Sequence, residues 1–127
     1  MTFAWRLLLQ VAVTLISGSN DEAASRSSIN RSYYAALGEA REFSIKNGLV
    51  MNKKKASHEQ VWQYLRGGGS ENLAYRRAAF KAIGDIGVAL RAMRVQADYK
   101  LGSPPSHSDA QQAASLARRL VQRIHSL

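Results

Sequence analysis

The spacing of apolar residues restricts the fold of this chain more than any other feature of its sequence. Two long segments carry apolar residues at alternating intervals of four and three positions. The first stripe consists of Ile29, Tyr33, Ala36, Ala40 and Phe43, and the second of Ala79, Ile83, Ile86, Leu90, Met93 and Ala97. Residues at these intervals lie on one face of an α-helix. No segment shows a convincing apolar–polar alternation of the kind expected for a half-buried strand, so the chain is predicted to be all-α.

Start and stop signals divide the chain into five predicted helices. We expect helices from about Phe3 to Ser17, from Glu22 to Lys46 and from Ser57 to Arg66, then a long fourth helix capped by Ser70 and a last helix starting near Ser108. Ser57 opens an S-x-x-Q sequence, which is typical of a capping box. Gly84 and Gly87 each cost the fourth helix about 1 kcal/mol relative to alanine, so they are predicted to face a closely packed neighbouring helix.

The number and order of these helices predict the architecture. A chain of 127 residues suits one domain with one hydrophobic core. Successive helices joined by short connections pack as antiparallel neighbours. We therefore predict a single domain over residues 1–127, built as an antiparallel bundle of four main helices plus a short helix.

The apolar run from Leu7 to Ile16 has two interpretations. Its length matches the apolar region of a secretory signal peptide. However, Arg6 is the only positive charge near it, Gln10 interrupts it, and no A-x-A-like cleavage site follows. The run is also too short to span a bilayer. We interpret it as the buried first helix of a cytoplasmic protein without a membrane partner, which the absence of cysteine fits.

The charge of the chain points to an anionic partner. It has 18 Lys and Arg residues against 9 Asp and Glu residues, a net charge of +9. Such an excess suggests nucleic acid most simply, and an anionic membrane or an acidic protein less often. Lys53, Lys54 and Lys55 form a basic loop and are candidates for contact with RNA or a protein partner. The alternative is that the charge serves solubility alone.

Several classes of chemistry find no support in the sequence. Without cysteine there is no disulfide, thiolate metal site or cysteine nucleophile. His58, His107 and His125 are scattered and have no metal-ligand spacing. Nucleotide-binding and hydrolase motifs are absent, and the GGGS run is interpreted as a connector. No metal and no cofactor are therefore predicted.

Two segments bring arginine, acid and tyrosine together beside the apolar stripes. Arg91, Arg94 and Asp98 share a face of the fourth helix, and Arg31 and Tyr34 are neighbours on the second. If these helices pack together, the polar residues form one cluster at the edge of the core, made of Arg31, Tyr34, Arg94, Asp98 and Tyr99. A purely structural interpretation is that arginine partners a buried aspartate and that tyrosine fills space while its hydroxyl stays hydrated.

The same two segments resemble a known family. They are similar to two elements of the prokaryotic branch of the HEPN superfamily (higher eukaryotes and prokaryotes nucleotide-binding). The first segment is Ser25–Phe43 (SRSSINRSYYAALGEAREF) and the second is Leu90–Leu101 (LRAMRVQADYKL). The last predicted helix, Asp109–Ile124, resembles the helix that follows these elements in the superfamily. The resemblance implies a helical bundle, a homodimer and a place in a toxin–antitoxin or antiviral defence system. It also implies a nucleotidyltransferase as a protein partner.

Active members of that superfamily cut RNA without metal, using an Arg-x4-6-His motif. Here the residue five positions after Arg94 is Tyr99, and no histidine follows Arg91 at the required spacing. Tyrosine, with a reference pKa near 10, is a poor general base at pH 7. The resemblance therefore implies Arg94 as a phosphate-binding residue without implying a complete ribonuclease site.

Three hypotheses follow from the sequence. The leading one is a HEPN-like protein that binds RNA, a nucleotidyltransferase partner or both, with a degenerate ribonuclease motif. The second is an active metal-independent endoribonuclease that uses Arg91 or Arg94 with Asp98, Tyr99 or a histidine from a dimer partner. The third is a structural subunit of a larger ribonucleoprotein or protein complex.

Overall fold

A computed structural model describes residues 4–100 and 102–127. The described residues form five α-helices and no strand: α1 (Arg6–Gly18), α2 (Glu22–Lys46), α3 (Ser57–Arg66), α4 (Ala74–Tyr99) and α5 (His107–His125). The all-α prediction is confirmed for this part of the chain. The predicted start of the first helix at Phe3 and the end of the second HEPN-like segment at Leu101 lie outside the described residues.

The first helix starts at Arg6, later than the predicted start near Phe3, whereas the second has its predicted bounds, Glu22 and Lys46. Leu9 and Ala12 of α1 are buried, as expected of a first helix that packs on its neighbours. Asp21 caps α2, because its side chain accepts a hydrogen bond from the backbone N–H of Ala24 at 2.7 Å. The apolar stripe of α2 is buried from Ile29 to Ala40.

The predicted capping box at Ser57 is wrong, although α3 does run from Ser57 to Arg66. Ser57 is already the first helical residue, and Ala56 precedes it as a cap without a side-chain hydrogen bond. The Gln60 side-chain oxygen accepts from the backbone N–H of Asn52 in the preceding loop and not from that of a cap residue. Its amide donates to the carbonyls of Asn52, Lys55 and Ala56, so the glutamine half of the predicted box does not form.

The long fourth helix begins later than predicted. Leu73, in an extended conformation, is its N-cap, so Ser70 does not cap it. Gly84 and Gly87 do face a closely packed neighbour, as predicted. A Cβ atom at Gly84 would crowd Arg66 and Leu65, and one at Gly87 would overlap the ring of Trp62. These glycines let α3 approach α4, which brings the start of α3 towards α2.

The last helix has the capping box that α3 lacks. Ser106 is the N-cap of α5, and its hydroxyl accepts a hydrogen bond from the backbone N–H of Asp109 at 3.0 Å. The Asp109 carboxylate in turn accepts from the backbone N–H of Ser106 at 2.9 Å. The helix therefore starts one residue before the predicted Ser108. The residues of its apolar face are buried, and they are Ala110, Ala113, Ala117, Leu120 and Ile124.

Helix α2 occupies the centre of this helical bundle and contacts each of the other four helices. The short α3 packs on α4 and on α2, and it makes no contact with α5 among the described residues. The side chain of Arg26 on α2 donates to the backbone carbonyl of Ala97 and so connects α2 to α4. None of the helices in the described ranges is long and apolar enough to cross a membrane.

Candidate functional site

The predicted polar cluster surrounds one guanidinium group where α2, α3 and α4 meet. The Cζ atom of Arg94, on α4, lies 5.8 Å from the ring centre of Tyr33, 5.5 Å from that of Tyr34 and 5.6 Å from that of Tyr99. All three distances are within the range of a cation–π contact. We call Tyr33, Tyr34, Arg94, Asp98 and Tyr99 the arginine cluster.

Asp98 fixes the orientation of the guanidinium. The Nε of Arg94 donates to Oδ2 of Asp98 at 3.0 Å, and the Asn30 side-chain amide donates to the same oxygen at 3.2 Å. The side chains of Arg94 and Asp98 are 15% and 23% exposed. Burial works against the charge of Arg94, but Tyr34 and Asp98 outweigh it and raise the pKa of the guanidinium. Arg94 is therefore a fixed and permanently charged group.

The hydrogen-bonding capacity of Arg94 is only partly used. Its Nε is bonded to Asp98, and its Nη2 donates to the Tyr99 hydroxyl at 3.4 Å. Its Nη1 has no hydrogen-bond partner among the described residues and is not fully buried. Nη1 is thus an unused donor at the surface of the cluster, suited to an anionic oxygen such as that of a phosphate.

The structure adds a histidine that the sequence analysis did not place in the cluster. His58, in the first turn of α3, has its Nδ1 hydrogen-bonded to the Tyr33 hydroxyl at 2.9 Å. The Tyr33 hydroxyl also accepts from the Nε1–H of Trp62 at 3.1 Å. The His58 ring packs edge-on against Tyr34, with ring centres 5.8 Å apart. His58 and Arg94 therefore contact the same two tyrosines.

The electrostatics of the cluster set the protonation of His58. Burial lowers the pKa of its imidazole below the ordinary value, and the positive charges of Arg94 and Arg91 lower it further. Burial raises the pKa of the Tyr33 hydroxyl, which therefore stays protonated near neutral pH. With Nδ1 bonded to Tyr33, the Nε2 atom of the neutral His58 has no partner among the described residues and is not buried.

A basic loop lies directly before α3. The lysine loop, Lys53–Lys55, is exposed and precedes His58 by only a few residues. Gln60 holds it: Gln60 Nε2 donates to the carbonyls of Asn52 at 2.8 Å and of Lys55 at 3.0 Å, and its Oε1 accepts from the N–H of Asn52 at 2.6 Å. The side chain of one helix residue thus anchors both ends of the loop.

The structure brings together most of the residues that the sequence predicted. Tyr34, Arg94, Asp98 and Tyr99 meet directly. Arg31 is exposed at the margin, where its Nη1 donates to the Asn30 side chain at 2.9 Å. Arg91 makes no ion pair among the described residues, but it is close enough to lower the pKa of His58 and Tyr33.

The sequence analysis missed His58, Trp62 and Asn30. The contribution of His58 and Trp62 depends on how α3 meets α2, and that of Asn30 depends on how α2 meets α4; no local pattern encodes either arrangement. One signal was present: His58 and Trp62 are four residues apart and so share a face of α3. In the structure, that face is the one turned towards Tyr33.

No family model, curated protein or solved structure matches this chain. Across the described ranges, no group of three or more histidine, cysteine, aspartate or glutamate residues could hold a metal ion. The arginine cluster and His58 present a guanidinium nitrogen and an imidazole nitrogen that have no partner among the described residues and are not buried. The exposed lysine loop precedes His58 in the chain.

Proposed function

We propose that the protein binds RNA through the arginine cluster and the lysine loop, and that its helices adopt a HEPN-like antiparallel bundle of four main helices and a short one. The observation that carries the proposal is the Nη1 donor of Arg94, which has no partner among the described residues and belongs to a guanidinium held in place by Asp98. Guanidinium and ammonium groups bind the phosphate oxygens of a nucleic acid whatever its nucleotide sequence. RNA is proposed over other polyanions because of the family resemblance.

The position of the charges supports this surface over a general excess of charge. Helices α2, α3 and α4 contact one another and carry Arg31, His58 and the pair Arg91 and Arg94. The exposed lysine loop leads directly into the first turn of α3, where His58 lies. The rings of Tyr33, Tyr34 and Tyr99 surround Arg94, and proteins that bind single strands combine cations and rings in this way.

The experiment is a titration of labelled RNA by fluorescence anisotropy at several salt concentrations. Lys53→Gln with Lys54→Gln removes two charges from the lysine loop. Arg118→Gln with Arg119→Gln removes two charges from α5, which has no described contact with α3. We expect the loop variant to bind several-fold more weakly and to lower the slope of log K against log [salt] by about 0.7 for each phosphate that the protein no longer neutralises. The α5 variant should bind like wild type.

Equal weakening in both variants would mean that the charge acts without a defined surface, and the proposed site would be wrong. If wild-type protein fails to bind RNA even at low salt, the proposed function is rejected. A DNA strand of the same sequence is the comparison that tests the choice of RNA.

A second candidate function is metal-independent cleavage of RNA, and His58 is the observation that favours it. A neutral imidazole can take a proton on the ring nitrogen that carries none, and for His58 this is Nε2 in the tautomer whose Nδ1–H donates to the Tyr33 hydroxyl. Nε2 has no partner among the described residues and is not buried. In such a reaction, His58 takes the proton of a 2′-hydroxyl, whose oxygen bonds to the adjacent phosphorus. The bond from phosphorus to the 5′-oxygen breaks, and the imidazolium gives its proton to that oxygen. Arg94 stabilises the charge that develops on the phosphate.

Cleavage of RNA in EDTA tests this second candidate. His58→Gln should slow cleavage about a hundredfold or more, the range of a lost general acid–base group, while RNA binding stays close to wild type. His125→Gln is the matched control, since His125 is exposed on α5, where its Nε2 lies 3.4 Å from Glu39. If wild type does not cut RNA, or if both variants cut alike, the cleavage function is rejected and the binding function is unaffected.

Four expectations stay predictions from the sequence: a place in a defence system, a nucleotidyltransferase partner, a homodimer and a cytoplasmic location. We propose a homodimer as the binding-competent form. Sedimentation equilibrium with and without RNA tests it, and a monomer that binds RNA with full affinity would contradict it.

A further inference from the structure

Tyr99 presents a large aromatic ring to solvent beside the proposed phosphate-binding group. Its side chain is among the exposed large apolar groups, with 68% of the residue accessible. Tyr75, at the other end of α4, is equally accessible at 69%. The two tyrosines therefore share a helix and a degree of exposure, and they differ in their surroundings.

The ring of Tyr99 is held in position, whereas that of Tyr75 is not. The Arg94 guanidinium lies over Tyr99, with Cζ 5.6 Å from the ring centre, and Nη2 reaches the Tyr99 hydroxyl at 3.4 Å. Tyr75 makes no ring contact or side-chain hydrogen bond within the described part of the chain. A ring held from one side by a cation, yet mostly accessible, offers its remaining surface to a flat ligand.

We propose that Tyr99 is a stacking residue for one unpaired nucleobase of the bound RNA, with the neighbouring phosphate on Arg94. This inference rests on the proposed RNA-binding function and specifies which part of the RNA contacts this end of the site. Every nucleobase has an aromatic face, so a tyrosine can stack on it without selecting a sequence. The adjacent Nη1 donor of Arg94 supplies the phosphate contact that a stacked nucleotide would bring with it.

Stacking requires a base that is not already stacked and paired within a duplex. Base recognition in RNA accordingly takes place at loops, bulges and single strands, where bases can be splayed out onto aromatic side chains. The proposal therefore predicts that Tyr99 contributes to binding of a single strand and contributes little to binding of a blunt duplex of the same sequence.

Anisotropy titrations with a single strand and with its duplex test this prediction in the full chain. Tyr99→Ala should weaken single-strand binding by roughly five- to a hundredfold, the range for removal of one base–aromatic stack, and leave duplex binding nearly unchanged. Tyr99→Phe keeps the ring but loses the hydrogen bond from Arg94 Nη2, so it should retain most of the single-strand affinity that Tyr99→Ala loses. Tyr75→Ala is the matched control for an equally exposed tyrosine and should also bind like wild type.

The outcomes separate this inference from the function on which it rests. The stacking role is wrong if Tyr99→Ala binds the single strand with wild-type affinity, or if Tyr75→Ala lowers that affinity as much as Tyr99→Ala does. In either case the lysine-loop variant still tests RNA binding on its own. The stacking role would also be wrong if Tyr99→Ala lowered the affinity for the single strand and for the duplex by the same factor. Absence of any RNA binding by wild type would overturn both proposals. Circular dichroism of each variant confirms that the helices are intact.

Discussion

Replacing Arg94 by methionine tests whether the arginine cluster holds the helices together or is available for a ligand. Methionine matches arginine in helix propensity and keeps an unbranched stem, so Arg94→Met removes mainly the guanidinium. The substitution eliminates the ion pair with Asp98 and the cation–π interactions with the rings of Tyr33, Tyr34 and Tyr99.

The expected magnitude follows from the exposure and geometry of these interactions. An exposed i,i+4 ion pair contributes about 0.3–0.5 kcal/mol, and this one is somewhat more buried. Each cation–π contact contributes about 0.5–1 kcal/mol, and because one guanidinium serves three rings the contributions are not fully additive. Asp98 keeps its hydrogen bond from Asn30, so it is not left without a partner. We expect the free energy of unfolding to fall by about 1.5–3 kcal/mol.

Equilibrium unfolding in urea, followed by circular dichroism, measures this decrease. For a chain of this length the same decrease lowers Tm by roughly 5–12 °C, so the variant should remain folded at room temperature. A decrease above about 5 kcal/mol, or failure to fold, would show a fully buried structural ion pair and refute the accessibility argued for Nη1. A decrease below about 0.5 kcal/mol would show that the rings and the carboxylate do not hold the guanidinium.

Three further predictions concern the surroundings of the cluster. Because folding lowers the pKa of His58, the unfolded chain binds the proton more tightly. Stability should therefore fall as pH drops from the ordinary histidine pKa towards the lowered folded value, and urea unfolding of His58→Gln should show a smaller decrease over that pH range. In the same assay, Gly87→Ala should lower the free energy of unfolding by about 1–3 kcal/mol, because the new methyl group overlaps the buried ring of Trp62. A more stable variant would contradict the close packing of α3 on α4. Gln60→Ala should free the lysine loop, so that limited trypsin digestion cuts there several-fold faster than in wild type; unchanged digestion would mean that the glutamine does not anchor it.

The sequence predicts the helices well because their signals are local. Asp21 and the stripe of α2 lie within one continuous segment, and the burial of Ile29 and Ala40 follows from their spacing alone. The capping box predicted at Ser57 did not form because the side chain of Gln60 has two sets of possible partners. Gln60 could bond to its own helix end or to the preceding loop, and the S-x-x-Q pattern does not distinguish these outcomes.

The candidate site was predictable to the extent that it lies on single helices. Arg94 and Asp98 are four residues apart on α4, so their pairing follows from helix geometry. The histidine came from a different element, and its position depends on Gly84 and Gly87 allowing α3 close to α4. The glycines were recognised as points of close packing, but the partner helix and its angle were not, so His58 could not be assigned to the cluster.

The structural and functional interpretations of the cluster need not exclude each other. Tyr33 is wholly buried and accepts from Trp62, so it belongs to the core, whereas Tyr99 on the other side of Arg94 is mostly exposed. Arg94 thus lies at the boundary, and the rings around it extend from the core to the surface. A guanidinium fixed by Asp98 and Tyr33 loses little conformational freedom when a phosphate binds Nη1, and lower ordering cost raises affinity. The interactions that stabilise the helices are therefore the same interactions that prepare Arg94 to bind an anion, which accounts for the grouping of arginine, aspartate and tyrosine beside the apolar stripes.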